Sequence, residues 1–229
     1  MSDSEARSAS FIEMHGISKS IAGVPVLSGV NLVAAMYQRT AIVGPARSGK
    51  TLLLSILMGM VPADSGVATV AGLPYRVLPR AHRSAVAVFM PTHAPSQAVR
   101  RYLRSVAASV GARRSRVQQV MDVARLSEIA AERLDRLTVP QRYLVECAAA
   151  ALSQPQLLVL DSLDAMVQTA VWPALDALLQ SERERVAGLL VTARSAEQIP
   201  MAFHRILQLP GAVPSLAGND AAALPEQRR

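Results

Sequence analysis

The sequence predicts an α/β fold with a largely parallel sheet, and three observations carry that expectation. Short β-type runs alternate with helical stretches along the chain, the pattern that lays helices on the faces of a sheet. Several runs are unbroken Val, Leu and Ile, as strands covered on both faces require. From about 96 to 153 only helical segments can be read, so a helical insert interrupts the core, which resumes near Gln156.

In chain order, strand-type runs fall at 11–15, 29–33, 40–43, 66–70, 85–89, 157–160, 188–192 and 205–209. A leucine-rich helix over 49–60 follows the third run. The stretch 165–179 carries Val167, Val171, Leu175 and Leu178 at helical spacing, which gives it one apolar face. Trp172-Pro173 inside it predicts a kink or a second helix start, because proline has no N–H to donate. The insert reads as helices around 97–110, 115–126, 128–134 and 139–152. The expected divisions are a first part of the core over 1–91, the helical insert over 92–154, and a second part of the core over 155–213. A tail over 214–229, of Pro, Ala, Gly and charged residues, is expected to be mobile.

Composition narrows the class. With 229 residues, 51% hydrophobic and 18% charged, the chain is globular in mixture and long enough to bury a core. No apolar run reaches the roughly 18 residues of a membrane span, and the polar first residues show no signal peptide. A single cysteine, Cys147, excludes an internal disulfide and fits a reducing compartment. Set among alanines, it reads as a small core residue rather than a nucleophile. The four histidines show no metal-ligand spacing. A soluble, cytoplasmic protein is expected. The formal charge of +7 points to an anionic partner, and it is almost all arginine, since Lys19 and Lys50 are the only lysines.

The sharpest motif is Gly44-Pro45-Ala46-Arg47-Ser48-Gly49-Lys50-Thr51, a full match to G-x-x-x-x-G-K-[ST] between a strand and a helix. Gly44 and Gly49 allow the backbone to curl so that successive N–H groups face phosphate oxygens. The helix N-terminus adds partial positive charge toward the same anion. Lys50 is expected to reach the β- and γ-phosphates, and Thr51 to offer its hydroxyl to Mg²⁺. Asp161 closes the apolar run Leu157-Leu158-Val159-Leu160, where P-loop proteins place the aspartate that holds Mg²⁺ opposite the threonine.

The layout from Phe11 to about Val213 resembles the nucleotide-binding subunits of ABC transporters. The opening Ile17-Ser18-Lys19-Ser20, the run from Val26 to Leu32, and the turn Asp64-Ser65-Gly66 after the first helix carry the likeness. So do Leu137-Thr138-Val139-Pro140-Gln141 at the place of the family's L-S-G-G-Q signature, Gln154-Pro155 before the acidic strand, and the spacing from Gln141 to Pro155 and Asp161. The resemblance implies a P-loop NTPase (RecA-like) core with a mainly parallel sheet, an N-terminal antiparallel β portion and an inserted α-helical subdomain. ATP and Mg²⁺ are the implied cofactors.

The departures from the family pattern are as informative. Ser162 stands where the family carries the glutamate that polarises water, and serine is no general base at neutral pH. Asp164 is close in sequence but two residues further on. Ala193 replaces the switch histidine, and a methyl group cannot hydrogen-bond a phosphate. Thr92 takes the place of the metal-reaching glutamine, Gln168 that of the dimer-contact aspartate, and Ile21 that of the aromatic platform for adenine. Val139 and Pro140 replace the signature glycines, and Thr138-x-x-Gln141 reads as a capping box that starts a helix.

The insert carries ten arginines against five acids between Thr92 and Gln154. In the resembled family this region meets the membrane subunits, so its arginines face either anionic headgroups and acidic loops or simply solvent. With only Tyr102 and Tyr143 among them, nucleic-acid binding is not expected. The expected function is that of the ATP-binding subunit of an ABC-type transport complex, holding Mg-nucleotide with weak or absent hydrolysis. It is expected at the inner face of the cell membrane, on a membrane permease subunit, with a second ATP-binding cassette (self or heterologous) as a further partner. The alternatives are a slow but active transport ATPase, and a regulatory or scaffold protein with nucleotide as a structural ligand.

Overall fold

Strand direction divides the molecule into two sheets. The computed structural model describes residues 10–35, 38–77, 86–89, 96–155, 157–162, 172–181, 188–198 and 203–211. β1 (Ser10–Ile21), β2 (Val24–Ala35) and β4 (Ser65–Val70) form an antiparallel sheet in the order β2-β1-β4. β3 (Arg39–Val43), β5 (Val86–Phe89), β6 (Leu157–Leu160), β7 (Gly188–Ala193) and β8 (Arg205–Gln208) form a parallel sheet in the order β5-β6-β7-β3-β8. All eight strand runs read from the sequence are strands.

β1 and β2 are much longer than the apolar pattern suggests, at 12 residues each. The pattern breaks because β1 is bulged: its register with both neighbours shifts just beyond Met14–His15. Gly16 occupies the bulge at φ +62, its N–H donating to Asn31 Oδ1 at 2.9 Å. An extra residue flips the inside–outside alternation, so a period-2 reading stops there. On the neighbouring strand Gly66 lies against the bulge at φ +89, its backbone packed directly on His15 and Gly16. Lys19 fixes the approach to β4 through Asp64, which accepts from Lys19 Nζ at 2.6 Å and Ser20 N at 2.7 Å.

The three inner strands of the parallel sheet, β6, β7 and β3, are buried on both faces. Ala41, Val43, Leu158, Leu160, Leu189 and Val191 join one core with the helices that follow. The residues between them, Ile42, Val159 and Leu190, join a second core with the antiparallel sheet and α1 (Lys50–Leu57). This strict alternation is what strands impose, and it explains why these strands read as continuous apolar runs.

α1 ends earlier than the leucine pattern predicts. Gly59 at φ +64 donates to Ile56 O, and Met60 N donates to Ser55 O, both at 2.9 Å. That pair of bonds is a Schellman stop, which needs the left-handed glycine. α2 (Val99–Ser109), α3 (Arg114–Val123) and α4 (Val139–Leu152) lie between β5 and β6 in the chain, and α5 (Trp172–Ser181) packs with them. The described part of α5 begins at Trp172. Val167 and Val171 lie outside the described residues, as do Thr92, Asp164, Gln168 and the tail beyond 211.

The expected helix over 128–134 is not a helix. The segment is a run of turns ending in a single 3₁₀ turn, Leu134–Arg136. Its carbonyls are needed elsewhere: Glu132 O accepts from Val99 N at 2.9 Å and Ala130 O from Arg100 N at 3.0 Å. Ala98 has no side chain to cap α2, so the neighbouring segment supplies the acceptors that the helix start lacks.

Candidate functional site

The loop 44–49 leaves the end of β3 and is pinned at its first residue, where Gly44 N donates to Ala193 O at 3.2 Å. A Cβ on Gly44 would lie 2.7 Å from both Leu209 O and Ser48 Oγ, so no larger residue fits. Gly49 sits at φ +90, and a Cβ there would press to 2.7 Å of Leu27 Cδ2. Arg47 also takes a left-handed backbone, at φ +65. The α1 N-terminus has no side-chain cap and no acid in its first turn, so its leading N–H groups are available to an anion. Lys50 Nζ donates to Gly44 O at 2.7 Å, Pro45 O at 2.8 Å and Ser48 Oγ at 3.3 Å, spanning the curl of the loop.

Thr51 and Asp161, 110 residues apart, are brought together: Thr51 Oγ1 donates to Asp161 Oδ2 at 2.8 Å. Asp161 is buried, and its other oxygen accepts from Thr192 Oγ1. Thr192 Oγ1 in turn accepts from Ser162 N at 2.7 Å. The Asp161 carbonyl accepts from Tyr143 OH at 3.3 Å. Above this cluster opens a cleft of about 390 Å³ whose walls are Ile21, Val26, residues 46–52, Ser162 and Arg194. Ile21 is 53% exposed there. Ser162 thus belongs to the cleft. Ala193 does not present its methyl to it: the side chain is fully buried in the helix-side core.

Sequence reasoning missed three contributors. Thr192 is the polar residue in the apolar run of β7, and its burial with Asp161 follows from pairing β6 with β7, which no local pattern reveals. Arg194 follows directly, and Tyr143 reaches the aspartate from α4. Cys147 meets its expectation as a core residue: it is fully buried, and burial pushes its thiol up. Among the described residues no group of three His, Cys, Asp or Glu is placed to hold a metal.

At the start of α4, Thr138 Oγ1 accepts from Gln141 N at 3.4 Å while Gln141 Oε1 accepts from Thr138 N at 3.0 Å. The capping box is therefore formed, with Pro140 in the first turn, where an N–H is dispensable. Val139 stands 54% exposed beside it. Thr138→Ala is expected to cost about 1 kcal/mol, read as a lower urea midpoint at unchanged slope. A midpoint shift of zero would mean that the box contributes nothing.

A glycine-curled loop between strand and helix, with a threonine on the aspartate of a distant parallel strand, defines a P-loop nucleotide-binding domain. The model of the ABC transporter family matches residues 27–164, and the chain belongs to that family, as a nucleotide-binding subunit. It is 30% identical over 210 residues to the Fe(3+) ions import ATP-binding protein FbpC of Pseudomonas fluorescens, covering 83% of this chain and 56% of that one. To the Nod factor export ATP-binding protein I of Azorhizobium caulinodans it is 26% identical over 201 residues, covering 83% and 62%. The chain therefore spans a little over half the length of these relatives. Among solved structures, cbiO1 of Clostridium perfringens, part of the ABC transporter complex cbiONQ, superposes with a TM-score of 0.70 at 17% identity, covering 87% of this chain and 84% of that one. A bacterial Atm1-family ABC exporter with ATP bound gives 0.74 at 16%, covering 88% and 38%. These structural likenesses establish the fold.

Proposed function

We propose that this chain binds Mg-ATP as the ATP-binding component of a membrane transport complex, and that its own cleft hydrolyses the nucleotide weakly or not at all. The observation that carries the reading is the Thr51–Asp161 contact at the foot of the glycine-curled loop. The residues fit the ligand. Gly44 and Gly49 lie in a cradle that any Cβ would fill, and a hydroxyl beside a buried carboxylate supplies the hard oxygens that Mg²⁺ takes. Residues 44–51 would hold the phosphates, with Thr51 and Asp161 on the metal side. Bound Mg²⁺ would supply charge neutralisation on the phosphate oxygens.

Three features support weak hydrolysis. Ser162 at the cleft wall has no group that takes a proton at neutral pH, and its N–H is engaged by Thr192. The Ala193 side chain points into the core. Pro140 offers no N–H at the start of α4, where the resemblance places donors to a nucleotide on a second cassette. Among the described residues no helix is long and apolar enough to cross a membrane. Docking on a permease subunit at the inner face of the membrane, with a second cassette of the same or another kind, completes the reading.

Thermal melts with and without Mg-ATP test it. A ligand at a hundred times its dissociation constant stabilises a fold by about 2.7 kcal/mol, and Lys50→Ala should remove the shift. A wild-type melt that does not move at millimolar nucleotide overturns the proposal.

A further inference from the structure

We infer that Arg194 is a phosphate-binding residue of the cleft, set against Lys50 and selective for nucleoside triphosphate over diphosphate. The inference rests on the nucleotide reading above and extends it by naming the charge that recognises the extra phosphate.

Arg194 lines the same cleft as Lys50, Thr51 and Ser162, with an exposed side chain. Its backbone is held from two directions. The residue before it, Ala193, accepts from the first glycine of the loop, and Thr192, two before it, ties down both Asp161 and Ser162 N. The arginine therefore springs from a fixed point between the loop and the aspartate strand.

Charge argues in the same direction. Among the described residues the cleft lining carries three cations, Arg47, Lys50 and Arg194, and no carboxylate. Arg47 belongs to the loop and Lys50 opens α1, where the loop carbonyls draw it inward. Among the described residues Arg194 is the lining cation from elsewhere in the chain, just past the end of β7. A triphosphate carries more negative charge than a diphosphate, and the loop with its helix N-terminus already answers to the charge that the two share. The guanidinium matches a phosphate with a rigid fork of N–H donors. Arginine has five N–H donors and no acceptor atom. Such a group holds the triphosphate without adding a base to the cleft.

Titration calorimetry on the full chain, with Mg²⁺ at fixed salt, measures ATP and ADP against wild type, Arg194→Ala, Arg194→Lys and Lys50→Ala. Arg194→Ala should weaken ATP about ten-fold and ADP by less than about three-fold, the first being about 1.4 kcal/mol. Arg194→Lys should recover part of the loss, restoring charge without the fork, while Lys50→Ala weakens both nucleotides. If Arg194→Ala leaves the ATP-to-ADP ratio of wild type unchanged while Lys50→Ala still weakens both, Arg194 has no such role and the phosphate site stands. Wild-type protein that binds neither nucleotide overturns the nucleotide reading, and this inference with it.

Discussion

On the proposed reading, Ser162→Glu should raise the ATP turnover of the complex by about 10²-fold, the lower end of what a positioned general base contributes. The position suits the change. Ser162 already lies at the cleft wall, and its φ of +58 is borne by an L-residue, so a larger L-residue adds no new class of backbone strain. The hydrogen bond from its N–H to Thr192 uses the backbone and survives the substitution. Adding Ala193→His does not help. That side chain is fully buried in the core under the helices, and overfilling such a site costs about 1–3 kcal/mol. The double variant should be less stable than Ser162→Glu and no faster. A wild-type complex that turns over several ATP per second, and loses that rate in Lys50→Ala, would falsify the weak-hydrolysis reading and make this chain a working motor.

The second large effect is on stability. A Cβ at Gly66 would lie 2.5 Å from Gly16 C, Gly16 O and His15 O, all backbone atoms of the bulged strand. Neither side can yield without breaking the register between β1 and β4. Left-handed strain and overpacking together set the cost of Gly66→Ala at about 3 kcal/mol. Gly72 is the control, since it has a similar φ of +77 but nothing within 4 Å of a built Cβ. Gly72→Ala should cost about 1 kcal/mol, from backbone strain alone. Equal losses at the two glycines, measured by urea denaturation, would show that the close strand approach carries no weight.

The phosphate loop was legible because its chemistry is local: eight consecutive residues specify curl, charge and helix start. β3, β6 and β7 were legible because burial on both faces favours a nearly unbroken apolar run. What failed to show depended on neighbours distant in sequence. The bulge at Gly16 hid the true length of β1 by reversing its alternation. The stretch 128–134 has helical composition, yet its carbonyls serve the start of α2. Thr192 and Arg194 belong to the site only because β7 lies between β6 and β3. The resemblance sets Ala193 in the place of the family's switch histidine, and the pleat turns its methyl into the core under the helices.

Tyr143 gives α4 a mechanical part to play. The helix starts at the surface with its capping box, and within its first turns it carries a buried ring whose hydroxyl ends on the Asp161 carbonyl. Withdrawing the hydroxyl would leave a buried carbonyl one partner short, a penalty of about 1–3 kcal/mol. One hydrogen bond thus latches the start of α4 to the residue that faces Thr51.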